Sequence, residues 1–201
     1  MSPKIQKILS IVLLILDIAF LLAVIIAEVM SYDMTSTTID SSFLESAKEL
    51  YILSTIRKNY LVAFIVTTIA FLGVLFQKAY IGKSESKLIL IIGMAFIIVP
   101  VMIVKTTIEL MPALSNEPVL RTTVITETDS DYSRRGGWSY YLIIEDQKIS
   151  VTESEYKSTK KGDFYYIICC GDKIIETCNP KKYTNMSNPE FQPVIEWQEN
   201  Q

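Results

Sequence analysis

The chain has 201 residues, half of them hydrophobic, with a net charge of −3 and no histidine. The missing histidine removes the commonest metal ligand and general base near neutral pH, and with it every serine or cysteine nucleophile that depends on a histidine partner. No basic field marks a nucleic-acid partner, and no glycine-rich phosphate loop, HExxH or EF-hand pattern occurs, so no cofactor, resident metal or catalysis is expected.

Three apolar runs dominate the first half: Ile8–Ala27, Tyr60–Phe76 and Leu88–Val104. A helix needs about 17–25 apolar residues to cross the roughly 30 Å hydrocarbon core of a bilayer. Residues 1–110 are therefore expected to form a three-helix transmembrane domain, with lipid as its first partner. The first run is longer than a usual signal-peptide core and carries Asp17. No small-x-small site follows near Ala27-Glu28-Val29, so it reads as a retained span. Lys4, Lys7, Lys78, Lys83 and Lys87 place the N-terminus and the link after the second span in the cytoplasm of a cell-membrane protein. The link 28–59 and everything after Val104 then lie outside, although Arg57, Lys58 and Lys105 run against that bias.

Asp17 is the one formal charge inside these runs. A carboxylate at mid-span costs roughly 2.5–3.5 kcal/mol on insertion scales, so it is expected to face protein or to be neutral. Thr67 and Thr68 sit at matching depth in the second span. The third span carries Gly93 and Ala95, small enough for close helix approach. It also carries Pro100, which leaves the Phe96 carbonyl without its usual donor. Asp17, Thr67, Thr68 and Pro100 are expected to make an intramembrane polar cluster that holds the helices together. Proton or cation handling is the sharper alternative.

Between the first two spans, Ser42-Phe43-Leu44-Glu45 fits a capping box, and apolar residues then recur at helical spacing. One helix is expected from about Ser42 to Tyr80, its first half above the membrane or along it.

Residues from Lys105 onward hold 11 Lys/Arg and 15 Asp/Glu and read as a soluble β domain over 118–184 with a tail at 185–201. Strand signals fall at Val119–Thr128, Trp138–Ile144, Lys148–Val151, Phe164–Cys170 and Lys173–Cys178. A polar loop starting at Asp129-Ser130-Asp131 and a helical turn within Ser154–Lys161 separate them. Five short antiparallel strands suit a small SH3-like or OB-like barrel. The unbroken run Tyr165–Cys170 reads as a central strand covered on both faces, with the membrane-proximal helices as the cover on one side.

Cys169, Cys170 and Cys178 read first as small buried hydrophobes, with a disulfide from Cys178 to one of the others as the alternative. Trp138 and Tyr140 share one strand face beside Arg134 and Arg135 and form the candidate binding face. Lys160-Lys161 and Lys181-Lys182 read as solvated turns, and the acid pairs Asp129/Asp131 and Glu153/Glu155 as ordinary loop carboxylates. Asn185-Met186-Ser187 is a sequon, and Phe191 and Trp197 are candidate anchors for the tail. The chain is expected to be a non-catalytic accessory, sensor or immunity-type membrane subunit. Its β domain would bind a protein or envelope component, and the chain itself would have a protein partner or form a homo-oligomer. A transport or channel subunit using Asp17 after oligomerisation is the alternative.

Overall fold

The computed structural model describes residues 3–31, 39–76, 85–134, 136–180 and 182–183. The expected helix end at 77–80, the lysine link, Arg135, Lys181 and the whole tail with its sequon lie outside the described residues. Three long helices come first: α1 (Pro3–Met30), α2 (Ser41–Leu75) and α3 (Glu85–Ser115). All three are long and apolar enough to cross a membrane. Even α1, with 28 residues, is about 42 Å long at the α-helical rise. Ile15, Ile26, Ile97 and Ile108 are each more than half exposed. Apolar surface on that scale is stable against lipid and not against water.

The contacts divide the chain into two units. The first comprises residues 1–33 and 50–111. Its interior is a stripe on α2 made of Asn59, Ala63, Thr67, Ala70 and Val74, all at most 1% exposed. Steps of three and four residues put them on one helix face. Ala70 packs with Leu13 and Ala95, and Ala63 with Phe20 and Val99. Without a hydrophobic driving force in lipid, helices associate through close packing of this kind. Of the two small residues expected on α3, Ala95 lies in this core. Gly93 does not: nothing stands within 4 Å of where its Cβ would be. Three polar contacts fix one antiparallel register between α1 and α2. They are Gln6 to the Val74 carbonyl at 2.9 Å, Asp17 to Thr67 and Thr68, and Glu28 to Arg57 at 2.7 Å.

The second unit comprises residues 34–49 and 112–201. The start of α2 belongs to it. The capping residue is Asp40 and not Ser42. The Asp40 carboxylate accepts from the Phe43 N–H at 2.8 Å and the Ser42 hydroxyl at 2.7 Å. The Ser42 bond, then the Phe43 N–H, hold the Asp40 carboxyl below its usual range. Ile39, Phe43, Leu44 and Ala47 are buried against Leu120, Tyr166, Ile168 and Cys178. The first turns of α2 are therefore the helical cover expected on one face of the central strand.

Six strands follow, not five: β1 (Pro118–Val124), β2 (Glu127–Ser133), β3 (Gly137–Ile144), β4 (Gln147–Val151), β5 (Phe164–Cys170) and β6 (Lys173–Cys178). They form two three-stranded antiparallel sheets, ordered β1-β5-β6 and β2-β3-β4, and no closed barrel. The expected strand 119–128 breaks because the chain changes sheets inside it. Ile125 exchanges backbone hydrogen bonds with Asp163 and Gly162 ahead of β5, while the Thr126 N–H and hydroxyl both donate to the Ile143 carbonyl of β3. The expected polar loop at 129–133 is β2. A short helix, α4 (Glu153–Ser158), capped by Thr152, carries the chain back from β4 toward β5.

β5 is covered on both faces. Tyr166 and Ile168 meet the α2 residues. Tyr165, Ile167 and Cys169 pack against Ile125, Leu142 and Ile144 from the direction of the other sheet.

Candidate functional site

In the helix unit, the Thr67 and Thr68 hydroxyls both donate to Asp17 Oδ1, at 2.8 and 2.7 Å. Thr67 Oγ1 also lies within reach of the Ala63 and Phe64 carbonyls, so its single proton is shared. Pro100 is not in this group. It is exposed and lines a shallow groove with Val101, Val104 and Ile108 along α3. A second polar group was not expected. Asn59, 1% exposed, donates to Glu109 Oε2 at 2.7 Å, and the Tyr51 hydroxyl donates to the Glu109 carbonyl at 3.1 Å. Both groups are hydrogen-bonded ties between helices.

In the sheet unit, Lys148 bridges Asp129 and Asp131 at 2.7 and 2.8 Å and lies 4.1 Å over the Tyr141 ring. The Lys148 bond, followed by the Ser130 N–H, lowers the Asp129 carboxyl, and the two carboxylates raise the Lys148 ammonium. This ladder explains how a strand as polar as β2 pairs stably: its outward acids are matched across β3.

The candidate binding face is only partly assembled. Tyr140 packs on Tyr156 of α4 at 4.9 Å between ring centroids. Trp138 instead pairs across strands with Tyr132 at 5.3 Å. These two rings are 58% and 64% exposed, beside the exposed Arg134 at the hairpin turn. Tyr132 escaped the sequence reading because its segment looked like a loop.

The three cysteines are free and buried. β6 pairs Cys178 with Tyr166, four residues from Cys170, roughly 13 Å along a strand. Cys169 lies on the opposite face of β5. A disulfide needs Cα atoms within about 7 Å, so the register rules out the alternative pairing here. Burial raises the Cys169 thiol to about 11 and raises Cys178 and Cys170 as well, which leaves them unreactive.

A cleft of about 730 Å³ opens where β4, α4 and β6 come together, bordered by Ser150, Thr152, Glu155, Glu176, Asn179 and Lys182. Glu176 reaches it through a β-bulge. Ile168 pairs with Glu176 and Cys169 with Ile174, leaving Ile175 without a partner in the ladder. Strict alternation from Ile174 would send Glu176 into the apolar cluster around Leu142, and the bulge re-aims it. Burial pushes the Glu176 carboxyl up and Glu155 adds to this, while the Thr177 N–H opposes it. The charged form therefore carries a cost, absent below the ordinary carboxylate range and growing as pH rises through the raised value. Glu155 accepts a short hydrogen bond from the Tyr165 hydroxyl, whose proton is held by burial and by this bond.

Among the described residues, no group of three or more acids and thiols is placed to hold a metal. No family model, curated protein or solved structure matches the chain.

Proposed function

We propose that this chain is a membrane-anchored, non-catalytic binding subunit. The three helices anchor it in the cell membrane with the N-terminus in the cytoplasm. The extracytoplasmic sheet unit recognises a protein or envelope component through the β2–β3 hairpin. The observation that carries the reading is the exposed Tyr132–Trp138 pair next to Arg134. Trp, Tyr and Arg are the side chains that most often dominate binding energy at interfaces, and here two of them spend no area on their own core. The tie between Asp17 and the two threonines supports assembly as the role of that acid, because its acceptor oxygen is already engaged within one chain.

The test is a photo-crosslinking residue at Tyr132 in native membranes. The proposal expects one discrete adduct, abolished by Trp138→Ala and absent when the probe sits at Glu127, exposed on the opposite sheet face. It also expects Ser133→Cys to be labelled by an impermeant thiol reagent on intact cells. No adduct, or an adduct indifferent to Trp138→Ala, overturns the recognition surface. Labelling only after lysis overturns the orientation.

A further inference from the structure

We propose that the cleft between β4 and β6 is a strand-addition site. An extended segment of a partner protein pairs with the outer edge of β6 and sets a lysine or arginine side chain between Glu176 and Glu155. This surface is separate from the Tyr132–Trp138 hairpin and does not rest on the reading of that hairpin.

Three observations converge on it. β4 and β6 are the outermost strands on one side of their respective sheets, and among the described residues no strand pairs with the second edge of β6. An unpaired strand edge is a row of backbone donors and acceptors ready to template another chain. Gln147 Nε2 donates to the Asp172 carbonyl at 2.9 Å, tying β4 to the β5–β6 turn at one end. The cleft lies toward the other end of both strands, beside α4.

The second observation is room. About 730 Å³ falls within the range of sites that enclose a ligand, enough for a few extended residues and one long side chain.

The third is charge. The ionisable groups bordering the cleft include Glu155, Glu176 and Lys182, a net charge of −1 among these three. Glu153 is neutralised locally by Lys157 at 2.6 Å. The bulge takes one residue out of the ladder to bring Glu176 here, and burial makes its carboxylate costly even though the Thr177 N–H donates to it at 3.0 Å. A cation delivered by a partner removes that cost, and the flanking Ser150 hydroxyl supplies a further hydrogen bond. An acidic segment would add a like charge to a site that already disfavours its own.

The experiment uses the full chain in nanodiscs and two blocked pentapeptides, Ac-Thr-Val-Lys-Val-Thr-amide and its counterpart with Glu for Lys. Butylamine serves as a bare cation. Saturable binding of the lysine peptide is expected, with at least tenfold slower amide exchange over Lys173–Cys178. The glutamate peptide is expected to bind at least tenfold more weakly, and butylamine to give no protection of β6. Glu176→Gln should weaken the lysine peptide about tenfold, Lys182→Met should tighten it, and Trp138→Ala should leave it unchanged. If Glu176→Gln fails to fold, the Lys182→Met result decides. Equal binding of the two peptides, no saturation at millimolar concentration, protection at another strand, or butylamine matching the peptide would each overturn the proposal. Loss of binding in Trp138→Ala would also overturn it, by merging this surface with the hairpin.

Discussion

Replacing Thr67 and Thr68 together with valine is expected to destabilise the helix unit by roughly 2–4 kcal/mol, more than replacing Asp17 itself with leucine. The asymmetry follows from what each change leaves behind. Without the threonines, the Asp17 oxygen that now accepts two hydrogen bonds loses both donors in a medium that offers no water. Without the acid, the Thr67 proton still has the Ala63 and Phe64 carbonyls within 3.1 Å. Asp17→Leu also removes an insertion cost, so its net effect should be about 1 kcal/mol or less, and Asp17→Asn should behave similarly. Adding Asp17→Leu to the double valine variant should restore most of the loss. Unfolding free energies in bicelles measure all four variants. A loss from Asp17→Leu equal to that of the double valine variant would contradict this asymmetry, and no loss from either variant would contradict the clamp.

Phe43→Ala is expected to cost the sheet unit about 3–5 kcal/mol, on the scale of a whole small domain's stability. Phe43 is 3% exposed and packs in the cluster that holds Tyr166, Ile168 and Cys178. Its loss should release the buried thiols, so the readout is the labelling rate of Cys170 and Cys178 under native conditions. Ile168→Ala and Ile167→Ala, on opposite faces of β5, should have comparable effects because each face has its own cover. For the same reason a fragment beginning at residue 118 should not fold alone, since half of one cluster arrives from residues 39–47. Cooperative unfolding of that fragment at the stability of the full chain would overturn this account.

What could be read in the sequence tracks how locally each feature is encoded. The three apolar runs, β3 to β6 and the doubly covered β5 are all visible as composition within a few residues. β2 was hidden because its stability lies in pairing with β3 and in Lys148, which is 19 residues from Asp129. The break at Ile125-Thr126 was hidden because β-branched residues continue through it while their hydrogen bonds go to different sheets. The Asn59-Ala63-Thr67-Ala70 stripe of small and polar residues at helical spacing is itself the mark of a packed face, and of it only Thr67 was picked out. Two elements of the site did leave a trace. Glu176 is an acid between Ile175 and the Thr177-Cys178 end of its strand, and Thr67 and Thr68 lie at the depth of the one acid in the first apolar run. Helical cover for one face of β5 was legible, but not that the first turns of α2 supply it. Its amphipathic start suits a membrane surface as well as a sheet, and only the distant partners Leu120, Tyr166 and Ile168 decide between them.

The account rests on lipid surrounding the first unit. Spin labels placed singly at Ile15, Ile65 and Ile97, all exposed on the helices, test this in liposomes against a water-soluble label at Lys173. The expected result is high collision with dissolved oxygen and low collision with a nickel chelate at the three helix sites, and the reverse at Lys173. Nickel access at Ile15, Ile65 and Ile97 equal to that at Lys173 would contradict the membrane assignment, and with it the role of Asp17 and the anchoring of the sheet unit.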